Sequence, residues 1–276
     1  MEKSVTKSDH TLVKSLLKTR EAGSHKGTHG HALLLTGSKG KMGAAVIAAR
    51  ACLRTGAGLL TVNVPAEERN ILQVTIPEAM LAMRGEEVEW SRFSSAGIGP
   101  AIGLDDEACR LVETFLTNYQ KPVLLDADAL TILSLNKTLW PAIPAGSVLT
   151  PHPKEFDRMF GAHQDIEERN LRAIAISLLY PWVIVLKGQH TQIAWQGRAY
   201  SNSTGNPGLA KGGSGDALSG IILSLLAQGY VPVNAAIIGV YLHGLAADMA
   251  LKTQSPESML PTDVIECIGN AFEITR

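Results

Sequence analysis

Asn202-Ser203-Thr204-Gly205-Asn206-Pro207-Gly208-Leu209-Ala210-Lys211-Gly212-Gly213-Ser214-Gly215-Asp216 sets five glycines ahead of one carboxylate, and an apolar run follows over residues 217–227. The pattern predicts a phosphate cradle. Glycines let backbone N–H groups close around an anion, and a helix that follows points its positive dipole end at the same spot. Asp216 then falls in the first turn of that helix. A carboxylate beside bound phosphate is electrostatically unfavourable unless it takes a proton or holds a metal. The competing reading is a Gly/Asn/Pro turn with Asp216 as an ordinary helix cap.

Upstream, short apolar runs recur and end in polar clusters. Residues 32–35 run into 37–43, 94–98 into 97–103, 123–125 into Asp126, 148–149 into 150–155, and 182–186 into 187–191. Residues 59–64 read as a further strand, and 191–195 with 198–201 as a hairpin turning at Gln196-Gly197. Helical stretches are expected near 12–17 and over 44–55, 107–116 and 167–179. Continuous apolar strands alternating with helices predict an α/β fold with a central, mostly parallel sheet and helices on both faces. Ligands of such sheets collect beyond the carboxyl ends of the strands, where these polar clusters fall.

A length of 276 residues at 45% hydrophobic content suits one large α/β domain better than two small ones. A net charge of −1 without a Lys/Arg block argues against a nucleic-acid binder and points to small-molecule partners. Cys52, Cys109 and Cys267 are too scattered for a disulfide framework or a zinc site, which fits a reducing cytoplasm. The first twenty residues lack a signal-peptide core, and the apolar stretches 217–227 and 235–247 are expected to be buried helices, too short to span a membrane.

Two familiar nucleotide motifs are missing: no GxxxxGK[ST] occurs, and Gly97-Ile98-Gly99-Pro100-Ala101-Ile102-Gly103 has the wrong spacing for GxGxxG. What the chain does carry is a series in fixed order. It comprises His25-Lys26-Gly27-Thr28-His29-Gly30-His31, Gly43-Ala44-Ala45, Arg54-Thr55-Gly56-Ala57-Gly58-Leu59 and Leu125-Asp126-Ala127-Asp128-Ala129-Leu130. Thr150-Pro151-His152-Pro153-Lys154-Glu155-Phe156, Lys187-Gly188 and the glycine run through Gly220 complete it. Over nearly the whole chain this series resembles the ADP/ATP-dependent NAD(P)H-hydrate dehydratases of the ribokinase-like superfamily.

The resemblance implies one ribokinase-like domain over residues 1–276, with no epimerase domain ahead of it. It implies a metabolite-repair lyase that phosphorylates the ring hydroxyl of hydrated NADH or NADPH with ADP or ATP, then eliminates phosphate. Asp216 would be the catalytic base and touch the substrate. Gly213, Ser214 and Gly215, with Lys187, Gly188, Gln189, His190 and Thr191, would bind the nucleotide. Ala44, Gly99, Gly103 and His152 would receive the hydrated dinucleotide, the glycines by letting it approach closely. His152 is expected in a stiff extended segment between two prolines. Asp126 and Glu155 would help hold Mg²⁺, with surface or cap roles as the alternative.

A β-branched residue at Gly213 is expected to crowd the anion pocket more than the fold. The family pattern further implies a homo-oligomer, a tetramer, with neither nucleic acid nor membrane as partner. Two departures stand out: Ala101 where a glycine is common, and Lys154 where the family has a small residue. His29, His31 and His243 show no metal spacing and are left unassigned. The rival readings are a vitamin-precursor kinase, such as a hydroxyethylthiazole kinase, and a non-catalytic nucleotide-binding protein.

Overall fold

The structure, a computed structural model, describes residues 5–276, so the first four residues of the segment read above lie outside the described residues. The strands are β1 (Val5–Ser8), β2 (His31–Leu35), β3 (Leu59–Val64), β4 (Met80–Met83), β5 (Ser95–Ile98), β6 (Val123–Leu125), β7 (Val148–Leu149), β8 (Val183–Leu186), β9 (Gln192–Trp195) and β10 (Arg198–Asn202). Among the described residues these ten form one sheet in the order β1-β10-β9-β8-β7-β6-β5-β2-β3-β4. Pairing is parallel from β8 to β4, and the β9–β10 hairpin adds antiparallel strands at one end.

The helices are α1 (His10–Leu16), α2 (Met42–Arg54), α3 (Arg69–Thr75), α4 (Asp106–Asn118), α5 (Ala127–Leu135), α6 (Pro153–Phe160), α7 (Ile166–Leu179), α8 (Ser214–Ala227), α9 (Pro232–Ala250), α10 (Pro261–Glu266) and α11 (Ile268–Thr275). Successive strand residues face opposite sides, and the core divides accordingly. Leu34, Leu124, Val148, Val183 and Val185 join α2, α8 and α9 in one apolar cluster, whereas Leu33, Leu35, Leu125, Leu149, Ile184 and Leu186 join α4 to α7 in another. Continuous apolar strands such as Val-Ile-Val-Leu in β8 are needed because both faces are covered.

Several elements differ from the sequence expectation. β1 and β4 were not anticipated, because β1 is largely polar and pairs through its backbone with β10, and β4 is a four-residue edge strand. The polar clusters after β6 and β7 open helices α5 and α6 directly, so Pro153 starts a helix rather than prolonging an extended segment. The stretch expected over 235–247 extends to nineteen residues in α9, long and apolar enough to cross a membrane by composition. Its burial explains that composition: 72% of the apolar window is inside the core, where α9 packs on α8 and the sheet.

Candidate active site

Backbone hydrogen bonds continue past the strand ends and line the polar clusters up in sheet order. Gly99 N donates to Leu35 O at 3.2 Å, Asp126 N to Ile98 O at 3.2 Å, Thr150 N to Leu125 O at 3.1 Å, and Lys187 N to Pro151 O at 2.9 Å. The loops after β2, β5, β6, β7 and β8 therefore form one rim at the carboxyl edge of the sheet.

On this rim Lys187 Nζ donates to Asp126 Oδ1 at 2.8 Å and lies 3.9 Å from Glu155 Oε2. The second oxygen of Asp126 accepts from Ser219 Oγ at 2.6 Å. Asp126 and Glu155 are buried and the Lys187 side chain is 19% exposed, so the pair interacts with little screening by water. Burial opposes the charge of Lys187, but Asp126, Glu155 and Asp216 outweigh it and lift the ammonium above the usual lysine range. Burial raises the Glu155 carboxyl, which Lys187 partly counters.

His152 caps α6. Its Nδ1 accepts from the backbone N–H of Lys154 at 3.1 Å and of Glu155 at 3.3 Å, while Glu155 Oε2 accepts from His152 N at 2.8 Å. With Nδ1 an acceptor, the ring proton sits on Nε2, which faces Glu155 Oε1 at 3.3 Å. Burial and then Lys187 lower the pKa of His152, favouring the neutral ring. His152 and Lys187, read from sequence as lining separate parts of the cleft, meet through Glu155.

The glycine run ends in a left-handed residue, Gly213 at φ 94°, which stands at the N-cap of α8 without a side-chain cap. Asp216 is thus in the first turn and is not the capping residue. Its carboxyl is pushed up to about 6 by burial first, then by Asp126 and Asp128, against the pull of Lys187. A Cβ on Gly215 would stand 3.5 Å from Lys187 Nζ, so the ammonium lies alongside this turn. A Cβ on Gly213 would instead meet Ile47 Cδ1 at 2.7 Å and Pro261 Cγ at 3.1 Å. The expectation that a side chain there would crowd the anion pocket is corrected: it would strike the neighbouring helices.

Gly99 also serves the protein's own packing. At φ 141° its Cβ would stand 1.8 Å from Asp126 O, so the space expected for substrate at that face holds backbone. Gly103 is open on that side, and its N–H donates to Asp128 Oδ2 at 2.9 Å. Ala44 is half-buried in the first turn of α2. Gly188 and Thr191 close a small turn through the threonine hydroxyl, leaving Gln189 and His190 exposed. Ala101 adopts φ 56°, a left-handed conformation that glycine would hold at less steric cost.

Ser219 and Asp128 were not singled out from sequence, although Ser219 follows Asp216 by three residues and so shares its helix face. His243 on α9 is buried, and its Nε2 has no hydrogen-bond partner among the described residues. Burial, aided by Lys187, lowers its pKa to about 4, so its ring is neutral near pH 7. His31 opens β2 at the far edge of the sheet, bonded to Thr61 Oγ1 at 2.8 Å, well away from the rim.

A mostly parallel sheet covered on both faces, with a glycine turn feeding a helix that carries an ionisable carboxylate in its first turn, defines a ribokinase-like protein. Residues 32–270 match the family described as NAD(P)H-hydrate dehydratase, and the chain belongs to that family. It is 35% identical over 276 residues to the ADP-dependent (S)-NAD(P)H-hydrate dehydratase of Bacillus subtilis, covering 95% of this chain and 96% of that protein. It is 37% identical over 270 residues to the bifunctional NAD(P)H-hydrate repair enzyme of Moorella thermoacetica, with 92% of this chain and 51% of that protein covered. The chain thus spans about half the length of such bifunctional relatives. The crystal structure of the ADP/ATP-dependent NAD(P)H-hydrate dehydratase from Bacillus subtilis, co-crystallised with ATP and Mg²⁺, superimposes with a TM-score of 0.89 at 33% identity and 99% coverage of both chains.

Proposed function

We propose that the protein restores hydrated NADH or NADPH to the dihydronicotinamide form at the expense of ADP or ATP. Asp216 carries this reading: it stands in the first turn after the glycine run, and its carboxyl near pKa 6 is a base poised close to neutral pH. It takes the proton from the ring hydroxyl as that oxygen attacks the terminal phosphorus. Backbone N–H groups of Gly213, Ser214 and Gly215 and the Lys187 ammonium hold the charge of the transferring phosphoryl group. The C–O bond of the ester then breaks with phosphate as the leaving group, far better than hydroxide, and the adjacent ring carbon gives up its proton to solvent, so the ring recovers its double bond. The net reaction is a carbon–oxygen lyase step.

Gly188, Gln189, His190 and Thr191 extend the nucleotide side from Lys187, and His152, Ala44 and Gly103 face the hydrated dinucleotide; Gly99 supports that side by seating the Asp126 loop. Mg²⁺ fits this rim. Asp126, Glu155 and Asp216 surround one ammonium and leave negative charge unbalanced, and hard oxygen donors with nucleotide phosphates suit a cation that takes one or two carboxylates. Asp126 and Glu155 would hold it, and when bound it would neutralise the phosphates.

One domain accounts for the single sheet and the family match over 32–270. Scattered free cysteines support a cytoplasmic setting, and the exposed Leu171, Leu178 and Leu179 of α7 support self-association, with a tetramer as the form to test. Incubation with hydrated NADH or NADPH, Mg²⁺ and either nucleotide, following the absorbance of the reduced ring and free phosphate, tests the function. A stable phosphorylated product without free phosphate would make the protein a kinase instead.

A further inference from the structure

Ser219 is fully buried on α8, one turn beyond Asp216, and its hydroxyl donates to Asp126 Oδ2 at 2.6 Å. The other oxygen of that carboxylate receives Lys187 Nζ at 2.8 Å, and the same ammonium stands 3.5 Å from where a Cβ on Gly215 would be. The chain of contacts therefore leaves α8 at Ser219, crosses the ends of β6 and β8, and returns to α8 at its first turn. A lysine side chain has four rotatable bonds and would otherwise sample many positions. Here one oxygen of Asp126 fixes the ammonium while the other is fixed by the helix that carries the anion turn.

We propose that Ser219 is a positioning residue: through Asp126 it aims the Lys187 ammonium at the phosphoryl group held by the first turn of α8. The inference rests on the nucleotide phosphates binding at that turn.

A double-mutant cycle tests it, with ADP and ATP dissociation constants and the KM for hydrated NADH as readouts. Ser219→Ala should weaken nucleotide binding roughly tenfold, the scale of one charge-assisted hydrogen bond, with the KM for hydrated NADH nearly unchanged. In a Lys187→Met background the same change should weaken nucleotide binding less than about twofold, since its effect runs through the missing ammonium. A merely structural role would weaken binding equally in both backgrounds, and that result, or wild-type nucleotide affinity in Ser219→Ala, overturns the proposal. If Ser219→Ala or Lys187→Met does not fold, Ser219→Cys and Lys187→Gln serve in the same cycle, and circular dichroism establishes folding in each arm. Wild-type protein that binds neither ADP nor ATP would remove the nucleotide reading itself. Wild-type binding with an additive cycle would remove only the role of Ser219.

Discussion

A Cβ on Gly99 would stand 1.8 Å from the carbonyl oxygen of Asp126, so the loops after β5 and β6 touch backbone to backbone. That contact sets the height of Asp126 above the sheet, and with it the position of Lys187. Gly99→Ala should cost about 2–4 kcal/mol from the clash and the left-handed backbone together. Turnover should fall as well, because Asp126 must move. Urea unfolding and steady-state assays check this, and a variant as stable and active as the wild type would show that the two loops can separate freely.

Much of this was legible in the sequence because apolar strands of a covered parallel sheet stand out as continuous runs: β3, β6 and β7 fall where residues 59–64, 123–125 and 148–149 predict them. The edge strands β1 and β4 were not, since β1 is polar and exposed and β4 only four residues long. In the site, the residue pattern placed a helix directly after the glycine turn with Asp216 in its first turn, as the structure has it. The direction of each missing Cβ did not follow from sequence: Gly213 points at Ile47 and Pro261, Gly99 at Asp126, and Gly215 at Lys187. Nor did the pairing of Asp126 with both Lys187 and Ser219, which are 61 and 93 residues away along the chain.

Gly213 and Gly215 should therefore respond in opposite ways to one added methyl group. Gly213→Ala forces a left-handed backbone and presses on Ile47, costing about 1–3 kcal/mol of stability. Gly215→Ala sits in an ordinary helical position and should gain about 0.5–1 kcal/mol. Its methyl group, however, reaches the Lys187 ammonium and should weaken ADP and ATP binding. Thermal melts beside nucleotide titrations separate the two. A stable Gly213→Ala with poor nucleotide affinity would restore the original expectation for that glycine.

His152 has two jobs that different substitutions separate. His152→Ala removes the side-chain cap of α6, which should cost about 1 kcal/mol, as well as the Nε2 donor on the rim. His152→Asn keeps a capping oxygen and loses only the donor. Both variants should raise the KM for hydrated dinucleotide, whereas only the alanine variant should melt earlier. Because Glu155 touches both His152 and Lys187, nucleotide affinity should shift in the same direction by a smaller factor. A KM for hydrated dinucleotide unchanged in both variants would confine His152 to capping.

Asp216 and His243 act on stability in opposite directions as pH falls. The Asp216 carboxyl, raised from near 3.8 to about 6, stays protonated in the folded protein after the unfolded chain has ionised. Its ionisation therefore costs stability, a cost absent below pH 4, growing between 4 and 6, and complete above 6 at up to about 3 kcal/mol. The His243 ring, lowered from 6.5 to about 4, resists a proton that the unfolded chain accepts, so stability is lost as pH falls from 6.5 towards 4, again by up to about 3 kcal/mol. In the wild type the two offset each other between pH 6 and 4. Asp216→Asn removes the first: it should stabilise the protein by about 1–3 kcal/mol at pH 7.5, steepen the loss of stability towards pH 4, and lower turnover about 10²-fold or more. The wild-type rate should itself fall with acidification through pH 6, as the base becomes protonated. Urea unfolding of both proteins at pH 4.5, 6 and 7.5, with rates at the same values, decides the matter. Equal stability at pH 7.5 together with near-wild-type turnover would move the proton transfer away from Asp216.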